Sequence, residues 1–127
     1  MKKLSKHFTR KELVCSCGCN EARVKNDLLY MLEAMRTFFD KPIIIHSGFR
    51  CQKKQESLIA QGLTKSKSSQ HTAGLAADLH VANFKLYDLH ESCKVLQDAG
   101  IIDGLGLYNW GVHVDKRGSK AFWDNRK

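Results

Sequence analysis

The chain has 127 residues, 43% hydrophobic and 27% charged, which fits one soluble globular domain with a single core. Its 21 basic and 13 acidic residues leave a net charge of +8, an attraction toward nucleic acid, anionic lipid or an anionic wall polymer. No window approaches the roughly 18 uninterrupted apolar residues of a membrane span, and the basic start at residues 1–7 lacks the apolar run of a secretory signal.

In chain order, Thr9-Arg10-Lys11-Glu12 has the spacing of a capping box ahead of Leu13 and Val14, so a short helix is expected there. It runs into a loop over 15–20 that holds Cys15, Cys17 and Cys19. Asn26 or Asp27 can cap a second helix, with Leu28, Leu29, Met31, Leu32, Met35, Phe38 and Phe39 at helical spacing. Asp40-Lys41-Pro42 stops it, because proline disfavours helix in the residue before it and has no amide hydrogen to donate. The β-branched run Ile43-Ile44-Ile45 predicts a buried strand ending at His46-Ser47. A helix follows over 52–61, closed by Gly62, then a mobile polar loop over 64–70. A strand is expected over 75–81, and a helix over 84–99 capped by Asn83, with Leu86, Leu89, Cys93 and Leu96 on one face. Residues 104–108 and 112–115 read as two strands of a hairpin around Asn109-Trp110-Gly111, and 119–127 as a polar tail anchored by Phe122-Trp123. The predicted class is α+β: a single domain with a small, largely antiparallel sheet and helices packed on one side.

The chemistry concentrates in Ser69-Gln70-His71-Thr72-Ala73-Gly74-Leu75-Ala76-Ala77-Asp78 and in His113-Val114-Asp115. Strand alternation puts Asp78 and His80 on one face, and His113 and Asp115 on one face. If the two strands are neighbours, Asp78 and His113 point at one place and His71 joins them from the preceding loop. Two imidazoles and one carboxylate leave a zinc ion one open position, as a catalytic site needs. The alternative is ordinary: a histidine at a strand end is often polar surface, and an aspartate after an apolar run is often a turn residue.

Five cysteines, an odd count, argue against a complete disulfide framework. Cys93 falls on an apolar helix face and reads as core. Cys15, Cys17, Cys19 and Cys51 leave three alternatives: a disulfide within the group, free thiols, or a second, structural zinc ion. The C-x-C spacing differs from the C-x₂-C of common zinc fingers.

Ser69-x-His71-x-x-Gly74-x-Ala76-x-Asp78 followed by His113 resembles the signature of the D-alanyl-D-alanine carboxypeptidase-like zinc peptidases, in the clan of lysostaphin-type and hedgehog-type domains. Ser47-Gly48-Phe49-Arg50 resembles the family's Ser-Gly-Tyr-Arg segment. Gly104-Leu105-Gly106-Leu107-Tyr108 and His113-Val114-Asp115 resemble its Gly-Ile-Gly-x-Tyr and His-Val-Asp segments, and Phe8-Thr9 with the Cys-x-Cys-Gly run resembles the lead of small phage and bacterial members.

The resemblance implies a zinc ion on His71, Asp78 and His113, with water at the fourth position activated for attack on a peptide carbonyl. It implies that Arg50 binds substrate or steadies the developing oxyanion with its planar fork of donors, and that Ser69 supports the site. Relatives with a Glu-x-x-His pattern use the glutamate as general base; here that position is Trp110, which cannot accept a proton. Asp115 is then the candidate base, or else a carboxylate that orients a ligand. His46 and His80 stand in reserve. Tyr108 and Trp110 flank the pocket and either pack against substrate or support the hairpin. Gln52 and Gln55 replace the family's usual proline and asparagine.

The expected function is a zinc-dependent peptidoglycan peptidase, a carboxypeptidase or endopeptidase, acting as a monomer after release to the wall as a phage-type endolysin or within a virion. The alternative is a zinc-containing wall-binding or virion module without turnover. Nucleic acid is not an expected partner, because the chain lacks aromatics in a basic strand pattern and the spacing of common zinc fingers.

Overall fold

The computed structural model describes residues 2–64 and 69–127. Thr9 closes its capping box as expected: its hydroxyl accepts from the Glu12 amide and its own amide donates to the Glu12 carboxylate at 2.9 Å, starting α1 (Arg10–Leu13). α2 (Asn26–Phe39) buries Leu28, Leu29, Met31, Leu32, Met35 and Phe39. Phe38, expected on the same stripe, is half-exposed. Neither Asn26 nor Asp27 is the N-cap. Lys25 holds that position without a side-chain bond, and Asp27 falls inside the first turn, where a carboxylate complements the helix dipole. Asp40 ends the helix in the left-handed region, its amide donating to the Arg36 carbonyl.

The strands are β1 (Ile43–Ser47), β2 (Ala76–Val81), β3 (Gly104–Tyr108), β4 (Gly111–Asp115) and β5 (Ala121–Asp124), in the order β1-β2-β4-β3-β5. All neighbours are antiparallel except β3 and β5. Between them lie α3 (Gln52–Ala60) and α4 (Leu86–Asp98). α4 begins later than expected: Asn83 takes a left-handed turn, and Lys85 is the N-cap. The mobile loop expected over 64–70 falls mainly on 65–68, outside the described residues.

One sheet face is apolar throughout. Ala77, Leu79 and Val81 of β2, Val112 and Val114 of β4, and Leu105 and Leu107 of β3 are buried against α2 and α4, joined by Leu32, Met35, Leu89, Cys93 and Leu96. This period-two alternation on strands facing helical stripes gives the α+β class. Each fully buried leucine contributes about 1.5–3 kcal/mol through removal from water. The opposite face of β2, β3 and β4 carries the polar residues and three glycines, Gly104, Gly106 and Gly111.

Two α4 side chains tie distant backbone to the sheet. His90, buried, lies with Nε2 2.9 Å from the Tyr108 carbonyl and 3.1 Å from the Gly111 carbonyl, which holds the tight Asn109-Trp110 hairpin. Gln97 donates to the carbonyls of Asp103 and Ala121 at 2.9 and 2.8 Å. The second bond fixes the start of β5, so residues 121–124 are a strand rather than part of a polar tail.

The polar face is packed to its limit at β3. A methyl group at Gly104 would sit 2.2 Å from the Asp115 carboxylate, and one at Gly106 2.3 Å from the Trp123 indole nitrogen. Both side chains therefore lie flat over the sheet only because β3 has no side chains there. Gly104→Ala is expected to destabilise the fold by about 1–3 kcal/mol through overpacking, measured as a lowered urea midpoint with an unchanged slope.

Candidate metal centre

Antiparallel register decides which polar residues meet. Asp78 of β2 sits directly opposite His113 of β4 on the face away from the core. His71 comes from the turn before β2, where the amides of Gly74 and Leu75 bond back to the carbonyls of His71 and Gln70. His71 Nε2 and His113 Nδ1 lie 3.1 and 3.0 Å from Asp78 Oδ1. The ligand atoms of His71, Asp78 and His113 all lie within 4.8 Å of one another.

The far nitrogen of each imidazole has a partner. His71 Nδ1 lies 2.8 Å from the Gly48 carbonyl, which can only accept, so that nitrogen carries a proton and Nε2 is the one turned to the centre. His113 Nε2 lies 2.8 Å from Asp115 Oδ2, an acceptor, and Nδ1 is the nitrogen turned to Asp78. Two imidazoles held by acceptors at their back nitrogens, a carboxylate and an open side are a donor set that fits zinc.

Asp115 is fully buried and saturated. Besides His113 it accepts from the Gly104 amide at 3.1 Å, from the Arg117 amide at 3.1 Å, and from Arg117 Nε and Nη2 at 3.0 and 2.7 Å. Burial alone would raise its pKa, but hydrogen bonds from His113 and then Arg117 outweigh it and hold the carboxyl well below the ordinary range. Asp78 behaves likewise: burial opposes the charge, while His113 and His71 bonds and charges favour it more strongly. Burial lowers the His113 pKa, but bonds to Asp115 and Asp78 prevail, so without metal it is raised.

The three residues open into a cleft of about 470 Å³ that Arg50, Ser69, Tyr108, Arg117 and Trp123 also line. Arg50 reaches Asp78 Oδ2 and Gln55 Oε1 through long contacts of 3.5 Å each, so its fork is only loosely engaged. Ser69 is 3.4 Å from Gln55 Oε1. Tyr108 accepts from Trp123 Nε1 at 2.8 Å. Trp110 does not line this cleft; it stacks on Tyr108 at 4.9 Å and meets His46 edge-on. His46 and His80 pair with each other, Nε2 to Nδ1 at 2.6 Å, beside Asp78 but outside the cleft lining. Burial, then the His80 charge, depresses the His46 pKa.

Arg117 and Trp123 are cleft residues that sequence reasoning missed. The Arg117 guanidinium lies over the Trp123 ring at 5.4 Å, and Trp123 approaches the His113 ring at 5.1 Å. The spacing Asp115-x-Arg117 was the available signal for the first; Trp123 needed the parallel pairing of β5 with β3.

The fold and site define a mixed α+β domain whose sheet holds a two-histidine, one-carboxylate centre at the floor of a cleft. The family model for peptidase M15 matches residues 6–115, from the N-terminal lead through His113 and Asp115. The chain belongs to that family, as its resemblance to D-alanyl-D-alanine carboxypeptidase-like zinc peptidases implied. No curated protein matches the chain by sequence.

Depressed carboxylate pKa values have a sign for stability. Asp78 and Asp115 contribute fully above their unfolded values near ~3.9, and the contribution disappears as pH falls through their lower folded values. The metal-stripped protein is therefore expected to lose melting temperature progressively below about pH 4. Asp115→Asn should flatten that slope in thermal melts recorded across the acid range.

Proposed function

We propose that the protein is a zinc-dependent peptidase acting on peptidoglycan, hydrolysing a bond of the peptide stem or cross-link. The observation that carries this reading is the convergence of His71, Asp78 and His113 in an open cleft, with the back nitrogen of each imidazole held by an acceptor. His71, Asp78 and His113 would hold the ion. Zinc bound there supplies a Lewis acid for a carbonyl and lowers the pKa of water toward ~7.

The chain's own residues account for the remaining tasks. Arg50, loosely held at the cleft wall, is placed to bind a substrate carboxylate or the oxyanion that develops on the attacked carbonyl, where a planar fork of donors serves best. Ser69 and Tyr108 line the same cleft and would position the peptide. Trp110 would extend that wall only through its stack on Tyr108. Asp115 has two conceivable roles, and its saturation supports orientation: every direction around its oxygens is taken, and its partner is the back nitrogen of a ligand. As positioning residue it would fix the His113 ring and raise its basicity toward metal. The net charge of +8 would favour adsorption to an anionic wall, consistent with delivery by lysis or in a virion.

Digestion of purified peptidoglycan tests the reading, with products identified by mass spectrometry. Release of stem fragments that stops with chelator and returns with zinc is expected, and His113→Ala should bind no ion at this centre and release nothing. Full metal binding without any hydrolysis would instead favour a wall-binding module without turnover.

Asp115→Asn separates the two roles of that residue. As a positioning residue it should weaken zinc affinity by about 10–100-fold, with most turnover recovered at saturating zinc. A turnover loss that saturating zinc does not repair would make Asp115 the base.

A further inference from the structure

We propose that Cys15, Cys17, Cys19 and Cys51 form a tetrathiolate site for a structural zinc ion, separate from the cleft. All four sulfurs lie within 4.8 Å of one another. Cys51 Sγ stands 3.7 Å from Cys15 Sγ and 3.4 Å from Cys17 Sγ. With zinc–sulfur bonds of about 2.3 Å, a tetrahedron has sulfur–sulfur edges of about 3.8 Å. The cluster is already close to that size. A disulfide would use two of these sulfurs and leave the convergence of the other two without a cause.

The surroundings suit thiolates. The 15–20 loop reverses through left-handed Gly18 and Asn20, and Cys15 donates its amide to the Glu21 carbonyl at 2.7 Å. Arg10 of α1 clamps the far end of the loop, donating to the Asn20 side-chain oxygen at 3.0 Å and to its carbonyl. Cys51 is the N-cap of α3, where the helix dipole favours negative charge. Two backbone amides point at sulfur, Cys51 to Cys15 Sγ and Lys54 to Cys51 Sγ, both at 3.4 Å. Cys15 and Cys51 are buried with Phe49, while Cys17 and Cys19 face outward, giving an ion a route in.

The site's place in the fold gives it a task. Residues 48–51 lie between the cysteine loop and the His71 turn. Phe49 donates its amide to the Leu13 carbonyl at 2.9 Å, and Arg50 to the His71 carbonyl at 3.2 Å. The Gly48 carbonyl sets the His71 tautomer, Arg50 faces the cleft, and Cys51 faces the cluster. An ion on the four sulfurs would pin this segment from behind, holding both the histidine's partner and the arginine. The N-terminal residues have little regular structure of their own, so they gain most from such a tie.

Metal counting on the full chain, purified in reducing buffer without chelator, tests the site. The expected result is two zinc ions per chain in the unaltered protein and one in His71→Ala. Loaded with cobalt, His71→Ala should show the sulfur-to-cobalt charge transfer and strong visible bands of a tetrahedral thiolate, and Cys51→Ser should lose them. After denaturation in chelator without reductant, all five thiols should react. No metal on His71→Ala, cobalt without charge transfer, or fewer than five reactive thiols would overturn the proposal. The cobalt spectrum needs no cysteine variant, so a misfolded Cys51→Ser leaves it decisive. A chain with zinc on the sulfurs and none at His71, Asp78 and His113 would sink the proposed activity and leave this site standing.

Discussion

The antiparallel register of β2 against β4 is the constraint from which the site follows. It sets Asp78 opposite His113 and, in the same stroke, Ala77 opposite Val114 and Leu79 opposite Val112 on the core side. Strand side chains alternate, so a slip of one residue would turn two buried apolar rows toward solvent and bury the two candidate ligands. The hydrophobic core therefore holds the ligand geometry in place. Burial of Leu79, Val112 and Val114 is what keeps Asp78 and His113 face to face despite the cost of bringing a carboxylate into a largely dry position.

Around that pair the supports come from backbone and from buried charge. Gly48, in the segment after β1, supplies a carbonyl to His71, and Asp115 supplies a carboxylate to His113. A carboxylate with no exposure is tolerable only when fully paired, and Asp115 meets this with an imidazole, a guanidinium and two amides. The space for it exists because position 104 is glycine, so one missing side chain on β3 is part of the ligand's support.

Much of this was legible in the sequence because it depends on local period. The helical stripes, the Thr9–Glu12 box, the strand alternation that paired Asp78 with His113, and the hairpin around Asn109-Trp110 were all read from neighbours in the chain. What escaped depends on partners far away. β5 is four residues long and half exposed, and its strand character comes from pairing with β3 and from the Gln97 bond to Ala121. Trp110 stands next to the right residues in sequence but turns onto Tyr108 at the hairpin tip, while Trp123, from a segment that read as tail, reaches the cleft. The sequence grouped Cys51 with the cysteine run but left a disulfide, free thiols and zinc as alternatives, because the distances among the four sulfurs depend on where the chain carries Cys51 after β1. Asp115 could be placed on the His113 face from alternation; the occupancy of its oxygens required the positions of Arg117 and Gly104.

The charge balance of the cleft joins these parts to chemistry. Asp78 and Asp115 are matched by Arg50 and Arg117, and imidazoles bound to an ion would be neutral. A divalent ion at this centre would leave the cleft net positive, which favours both loss of a proton from water and the binding of an anionic group. Arg117 is tied to Asp115 by a pair of short bonds and lies over Trp123, so it acts mainly to neutralise the buried carboxylate. Arg50, with contacts of 3.5 Å, can exchange them for a ligand at little cost.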